Sequence, residues 1–132
     1  MRLDDTVVAD DRLKVHGFMD THVIDLKRGE PATGLVVELS ELSNSGVEKI
    51  LARCTINTNG EADAPFFENR PIPMGQYVLR FAVGSYFASQ MKNAEEPFLD
   101  IVPVRFTVGE PEGHYHIPLR IAPWAYSIYR GL

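Results

Sequence analysis

From Thr21 onward the chain is written in short runs of Val, Ile, Phe and Tyr, each closed within a few residues by Gly, Pro, Asn or Asp. Runs this short do not make ordinary amphipathic helices, and β-branched and aromatic side chains fit a pleated, half-buried surface. The pattern predicts an all-β fold, a two-sheet antiparallel β-sandwich, with strands near residues 21–26, 34–42, 48–56, 61–66, 75–83, 100–109, 113–121 and 125–130. Gly29-Glu30-Pro31 sets a turn after the first strand, and Asn57-Thr58-Asn59-Gly60 supplies residues that tolerate positive φ where the chain reverses. One stretch breaks the pattern. Between Gly84 and Pro97 the chain lacks β-branched residues and is rich in helix formers, which predicts one short helix near residues 85–92 with Ser85 as its cap.

A chain of 132 residues is long enough to bury one continuous core without disulfides. Residues 1–19 are polar and acid-rich and read as an N-terminal arm, disordered or added as an edge strand, ahead of a sandwich domain over 20–132. With 45% hydrophobic and 23% charged residues, neither disorder of the whole nor a membrane span is indicated. Thirteen basic residues against eighteen acidic ones give a formal charge of −5, which opposes affinity for nucleic acid phosphates. No apolar stretch near Met1 is long enough for a signal peptide, so a cytoplasmic location is expected. The lone Cys54 alternates with Ile50, Ala52 and Ile56 and reads as a small core residue.

The chemistry-bearing residues gather near the C-terminus. Extended from His114, alternation puts His114, His116, Pro118 and Arg120 on one face and Tyr115, Ile117, Leu119 and Ile121 on the other, the core side. In Thr21-His22-Val23-Ile24-Asp25 the same alternation sets His22 with Ile24. A single strand histidine is more often a satisfied structural residue than a catalytic one, but three of the four histidines fall in these two strands, while His16 lies in the arm. His114-x-His116 also admits a metal site completed by His22 or an acid, although no further His or Cys stands at ligand spacing. A serine hydrolase is disfavoured, since no Gly-x-Ser-x-Gly elbow occurs and Ser127 lies in a tail strand.

Taken in order, Thr21-His22-Val23-Ile24-Asp25, Gly29-Glu30-Pro31-Ala32, Thr58-Asn59-Gly60, Tyr77 to Phe87, His114-Tyr115-His116-Ile117-Pro118-Leu119 and Tyr126-Ser127-Ile128-Tyr129-Arg130-Gly131 resemble the transthyretin-like proteins over residues 21–132. The final Tyr-Arg-Gly resembles the enzymatic branch, the 5-hydroxyisourate hydrolases of urate degradation, rather than the hormone carriers. The resemblance implies a homotetramer, a dimer of dimers with active sites at the mouths of a central channel. It also implies hydrolytic opening of a lactam without metal or organic cofactor, on a small-molecule substrate. His22, His116 and Arg130 match the catalytic residues, with His114, Ile24, Pro118, Tyr129, Glu61 and Arg120 as expected substrate neighbours. A water attacking an amide carbonyl needs a proton acceptor near neutral pH, and imidazole is the side chain suited to it.

Three positions depart from that pattern. Glu61 stands where the hydrolases carry an active-site arginine, Leu132 where they usually have serine, and Arg120 in a run that is usually apolar. Glu61 and Arg120 are expected to pair, which would re-site the missing cation. The departures leave two alternatives beside hydrolysis of the parent compound: a different cyclic amide substrate, or a non-enzymatic tetramer that binds a small ligand in its channel.

Overall fold

The computed structural model describes residues 17–90 and 96–131. Among these, nine strands and one short helix form two packed sheets. In chain order they are β1 (Gly17–Asp25), β2 (Glu30–Pro31), β3 (Val36–Leu42), β4 (Glu48–Thr55), β5 (Phe67–Arg70), β6 (Gly75–Ala82), α1 (Val83–Ala88), β7 (Ile101–Val108), β8 (His114–Ala122) and β9 (Ala125–Ile128). One sheet runs β9-β8-β1-β2, with β5 also on β1; the other runs β4-β3-β6-β7. Two sheets facing each other is what period-two alternation of apolar residues requires, because each strand then has one face to bury.

The inner faces are as the alternation predicts. Met19 and Val23 of β1, Leu119 and Ile121 of β8, and Val37, Leu39, Leu79 and Phe81 of the facing sheet are fully buried. Each such side chain contributes about 1.5–3 kcal/mol relative to exposure. Of the buried polar residues, Thr21 and Asp25 are satisfied while the Ser40 hydroxyl finds no partner: Thr21 Oγ1 donates to the Ile117 carbonyl at 2.7 Å. Asp25 accepts from the backbone N–H groups of Lys27 and Arg28 and from the Tyr86 hydroxyl. That carboxylate closes the turn after β1 and ties it to α1, a pairing of two distant segments through one buried group.

Four details differ from the sequence reading. β1 begins at Gly17, so residues 17–19, assigned to the arm, are paired in the sheet; residues 1–16 lie outside the described residues. The strand expected over 61–66 is reduced to two isolated bridges, His22 with Glu61 and Ile56 with Ala62. Pro65 has no N–H to extend a ladder, and regular pairing resumes only at Phe67. The helix starts at Val83, directly after β6, with no side-chain cap; Ser85 lies inside it, and residues 91–92 are outside the described set. Burial of Val83, Tyr86 and Phe87 sets this helix rather than a cap at Ser85. Finally, β1 and β8 run parallel, against the otherwise antiparallel order.

Candidate active site

That parallel pair builds the candidate site. Its register sets Phe18 beside His114, Asp20 beside His116, His22 beside Pro118 and Ile24 beside Arg120. All eight belong to the face turned away from the core. His22 and His116 are therefore diagonal neighbours on adjacent strands, with Cα atoms about 8 Å apart from strand spacing and rise. Two histidines distant in sequence share one face.

His22 is oriented by the loop before Glu61. Asn57 Oδ1 accepts from the N–H groups of Asn59 and Glu61, at 2.8 and 3.1 Å, and the Gly60 N–H closes back on the Asn57 carbonyl. Gly60 has φ +87°, and a Cβ there would lie 2.8 Å from His22 Nε2, so the tight approach needs glycine. The loop's product is the Asn59 carbonyl, which accepts from His22 Nε2 at 3.0 Å.

His116 is held on both sides. Its Nδ1 lies 2.6 Å from Asp20 Oδ1, and the two side chains are 37% and 17% exposed. Behind it the Gly131 N–H donates to the His116 carbonyl at 2.7 Å. Asp20 was not singled out in the sequence. An antiparallel arrangement gave no reason to set it beside His116, and only the parallel register reveals the pair.

The remaining expected residues divide. His114 is exposed and its ring tilts against Phe18 at 5.8 Å; Pro118 is buried and Ile24 half-buried on the same face. Arg120 is exposed between Ile24 and Ser127. Glu61 is the bridge partner of His22 on the side of β1 away from β8. The expected Glu61–Arg120 pair is not made within the chain: β1 stands between them, their Cα atoms are about 12 Å apart by strand spacing, and no ion pair joins them. Arg130 donates from Nη2 to the His114 carbonyl at 2.9 Å and stacks 4.3 Å from the centroid of the Tyr115 ring, which belongs to the opposite face. With Tyr129 it borders a mainly apolar cavity of about 230 Å³ that includes Val104, Phe106 and Ile117. A second cavity of about 230 Å³ adjoins the histidine face and is lined by Phe18, Asp20, Asn57, Glu61, Asp63 and Glu68, among others.

Among the described residues no three His, Cys, Asp or Glu side chains converge as a metal site would need, so the metal reading of His114 and His116 finds no third ligand there. Burial, helped by Asp63, pushes the Cys54 thiol up to about 11, which keeps it a neutral thiol near pH 7.

A sandwich with these histidines and this C-terminal motif is matched along nearly all of its length by one family, over residues 19–131. The chain belongs to the HIUase/Transthyretin family. It is 43% identical over 116 residues to the 5-hydroxyisourate hydrolase of Deinococcus radiodurans, covering 88% of this chain and 97% of that protein. Among solved structures, the 5-hydroxyisourate hydrolase of Klebsiella pneumoniae is 32% identical with a TM-score of 0.71, covering 89% of this chain and 99% of that one. An (S)-allantoin synthase is 34% identical with a TM-score of 0.80; the match covers 90% of this chain but 45% of the synthase.

Proposed function

We propose that the protein is a hydrolase that opens the cyclic amide of 5-hydroxyisourate or of a close relative, in purine degradation. The observation that carries this is the meeting of His22 and His116 on one outward face, each with one ring nitrogen anchored. The family relation and the hydrolases that match it at full length support it. A water oxygen adds to the lactam carbonyl, one imidazole takes its proton, the C–N bond breaks, and the leaving nitrogen takes a proton in turn. No step calls for a metal or organic cofactor. A base of this kind contributes about 10²–10⁴-fold.

The working form in this reading is a cytoplasmic homotetramer, a dimer of dimers. The exposed face of the β9-β8-β1 sheet, with Ile24 and Arg120 on it, then borders the channel, where Arg120 supplies positive charge, while Arg130, stacked on Tyr115, holds β8 from the other face. Glu61 beside His22 favours a second reading, a cyclic amide substrate bearing a hydrogen-bond donor where the parent compound meets an arginine. The test generates 5-hydroxyisourate from urate with a urate oxidase and follows its ultraviolet decay with and without the protein. Accelerated decay is expected. Decay at the uncatalysed rate, with protein of tetramer mass by light scattering, would reject turnover of the parent compound and leave the second reading standing.

A further inference from the structure

The two histidines are anchored through different nitrogens, and this separates their roles. We infer that Asp20 is a positioning residue: it keeps the His116 proton on Nδ1, so that His116 Nε2 is the free lone pair on this face that takes the proton of the attacking water. The assignment of the base rests on the hydrolase reading; the placement of the proton does not.

A carboxylate can only accept, so at 2.6 Å from Asp20 Oδ1 the His116 Nδ1 must carry hydrogen. A neutral imidazole has one N–H, so Nε2 is left as acceptor. His22 shows the reverse. The Asn59 carbonyl can only accept, so His22 Nε2 carries hydrogen, and the lone pair of the neutral ring falls on Nδ1.

The two anchors also differ in kind. Asn59 offers a neutral carbonyl on a loop, at 3.0 Å; Asp20 offers a carboxylate from the neighbouring strand, at 2.6 Å. A hydrogen bond to an ionised partner is roughly twice as strong as a neutral one. When His116 takes a proton, the resulting imidazolium is next to an opposite charge already in place. His22, when it takes one, is hydrogen-bonded only to a dipole; Glu61 is its bridge partner on the next segment but makes no ion pair with the ring. The register makes this a property of the sheet: Asp20 and His116 are direct partners in the parallel ladder, and Asp20 is 17% exposed. In the step itself, His116 Nε2 accepts the proton as the water oxygen bonds to the carbonyl carbon. The C–N bond then breaks, and the proton passes from Nε2 to the leaving nitrogen.

The experiment has two arms on the full chain. The first reads the imidazole ¹⁵N shifts and ring couplings of wild type near neutral pH, with His116 assigned by comparison with His116→Gln. The expected spectrum has hydrogen on Nδ1 of His116 and an unprotonated Nε2; hydrogen on Nε2 alone would overturn the inference. The second compares Asp20→Ala and Asp20→Glu in turnover of 5-hydroxyisourate. Asp20→Ala should lower kcat about 100-fold with KM changed less than about threefold, moving the His116 proton toward Nε2, and Asp20→Glu should restore kcat to within about tenfold of wild type. A folded Asp20→Ala protein with kcat within about threefold of wild type would overturn the role. If Asp20→Ala fails to fold, the wild-type spectrum and Asp20→Glu still decide. Wild type inactive on the substrate, but with the expected tautomer, would reject turnover of the parent compound and keep the proton placement.

Discussion

Gly131 abuts the His116 ring: its N–H donates to the His116 carbonyl at 2.7 Å, and a Cβ at Gly131 would stand 2.5 Å from His116 Cδ2. The Tyr129-Arg130-Gly131 motif therefore acts here as a clamp on β8, through Gly131 on His116 and Arg130 on the His114 carbonyl and the Tyr115 ring. Gly131→Ala would push the ring aside or lift the tail. A misplacement of about 1 Å can cost about 100-fold, so kcat/KM should fall between tenfold and 100-fold, with little change in melting temperature since the residue lies at the rim. Paired kinetics and thermal unfolding check this; unchanged kcat/KM would show that the contact does not position the ring.

The buried Asp25–Tyr86 bond is a stability element on the far side of β1. Tyr86 Oη donates to Asp25 Oδ2 at 2.8 Å, with Asp25 fully buried. Hydrogen bonds to charged partners contribute about 1.5–3 kcal/mol. Tyr86→Phe should therefore lower the unfolding free energy by about that much, while kcat stays within about twofold of wild type, because Asp25 faces the core and the histidines face away. Urea unfolding beside the decay assay measures both.

How far the chain revealed this in advance depends on whether the signal was local. Alternation located the inward faces of β1 and β8 and put His22, His114, His116, Pro118 and Arg120 outward, because side-chain direction in a strand follows from sequence parity alone. Which strands are neighbours is not local. The parallel seating of β1 on β8, hence the Asp20–His116 pair, comes from connections spanning most of the chain, and nothing at Asp20 announces it. The same holds for Glu61 and Arg120, whose separation is set by β1 standing between them. The helix start was misplaced for a related reason: Ser85 carried a capping signal, but burial of Val83, Tyr86 and Phe87 decided the boundary.

Cys54 and alkaline pH give a third test. Burial, then Asp63, raises its thiol from 9.0 to about 11, whereas in the unfolded chain it ionises near 9. Above pH 9 the unfolded state thus releases this proton first and binds fewer protons than the folded state. The contribution to stability is full below pH 9 and is lost as pH rises toward 11. Alkylation by iodoacetamide should be slow at pH 7.5 and accelerate toward pH 11. Cys54→Ala should unfold with a shallower loss of stability over that window. Burial also raises the Tyr86 and Tyr77 phenols, so Tyr86→Phe should flatten the alkaline limb further, above the ordinary tyrosine value near 10. Rapid alkylation at pH 7.5 would show Cys54 to be open to reagent.

Glu61 is the sharpest test of substrate. It is exposed and is the bridge partner of His22 on β1, on the histidine face, so in the proposed hydrolysis its charge acts on the carbonyl held between the imidazoles. An oxyanion forming about 7 Å from a carboxylate is opposed by about 2 kcal/mol at an effective dielectric near 20, and an arginine at the same place would favour it by a like amount before solvent screening. Glu61→Arg should therefore raise kcat on 5-hydroxyisourate by about tenfold or more, with Glu61→Gln between it and wild type. If the natural substrate instead offers a donor to this carboxylate, both substitutions should weaken its binding and raise KM. Steady-state kinetics of wild type, Glu61→Gln and Glu61→Arg separate the cases. A Glu61→Arg protein that folds, assembles and turns over 5-hydroxyisourate more slowly than wild type would mean that the carboxylate itself serves the reaction.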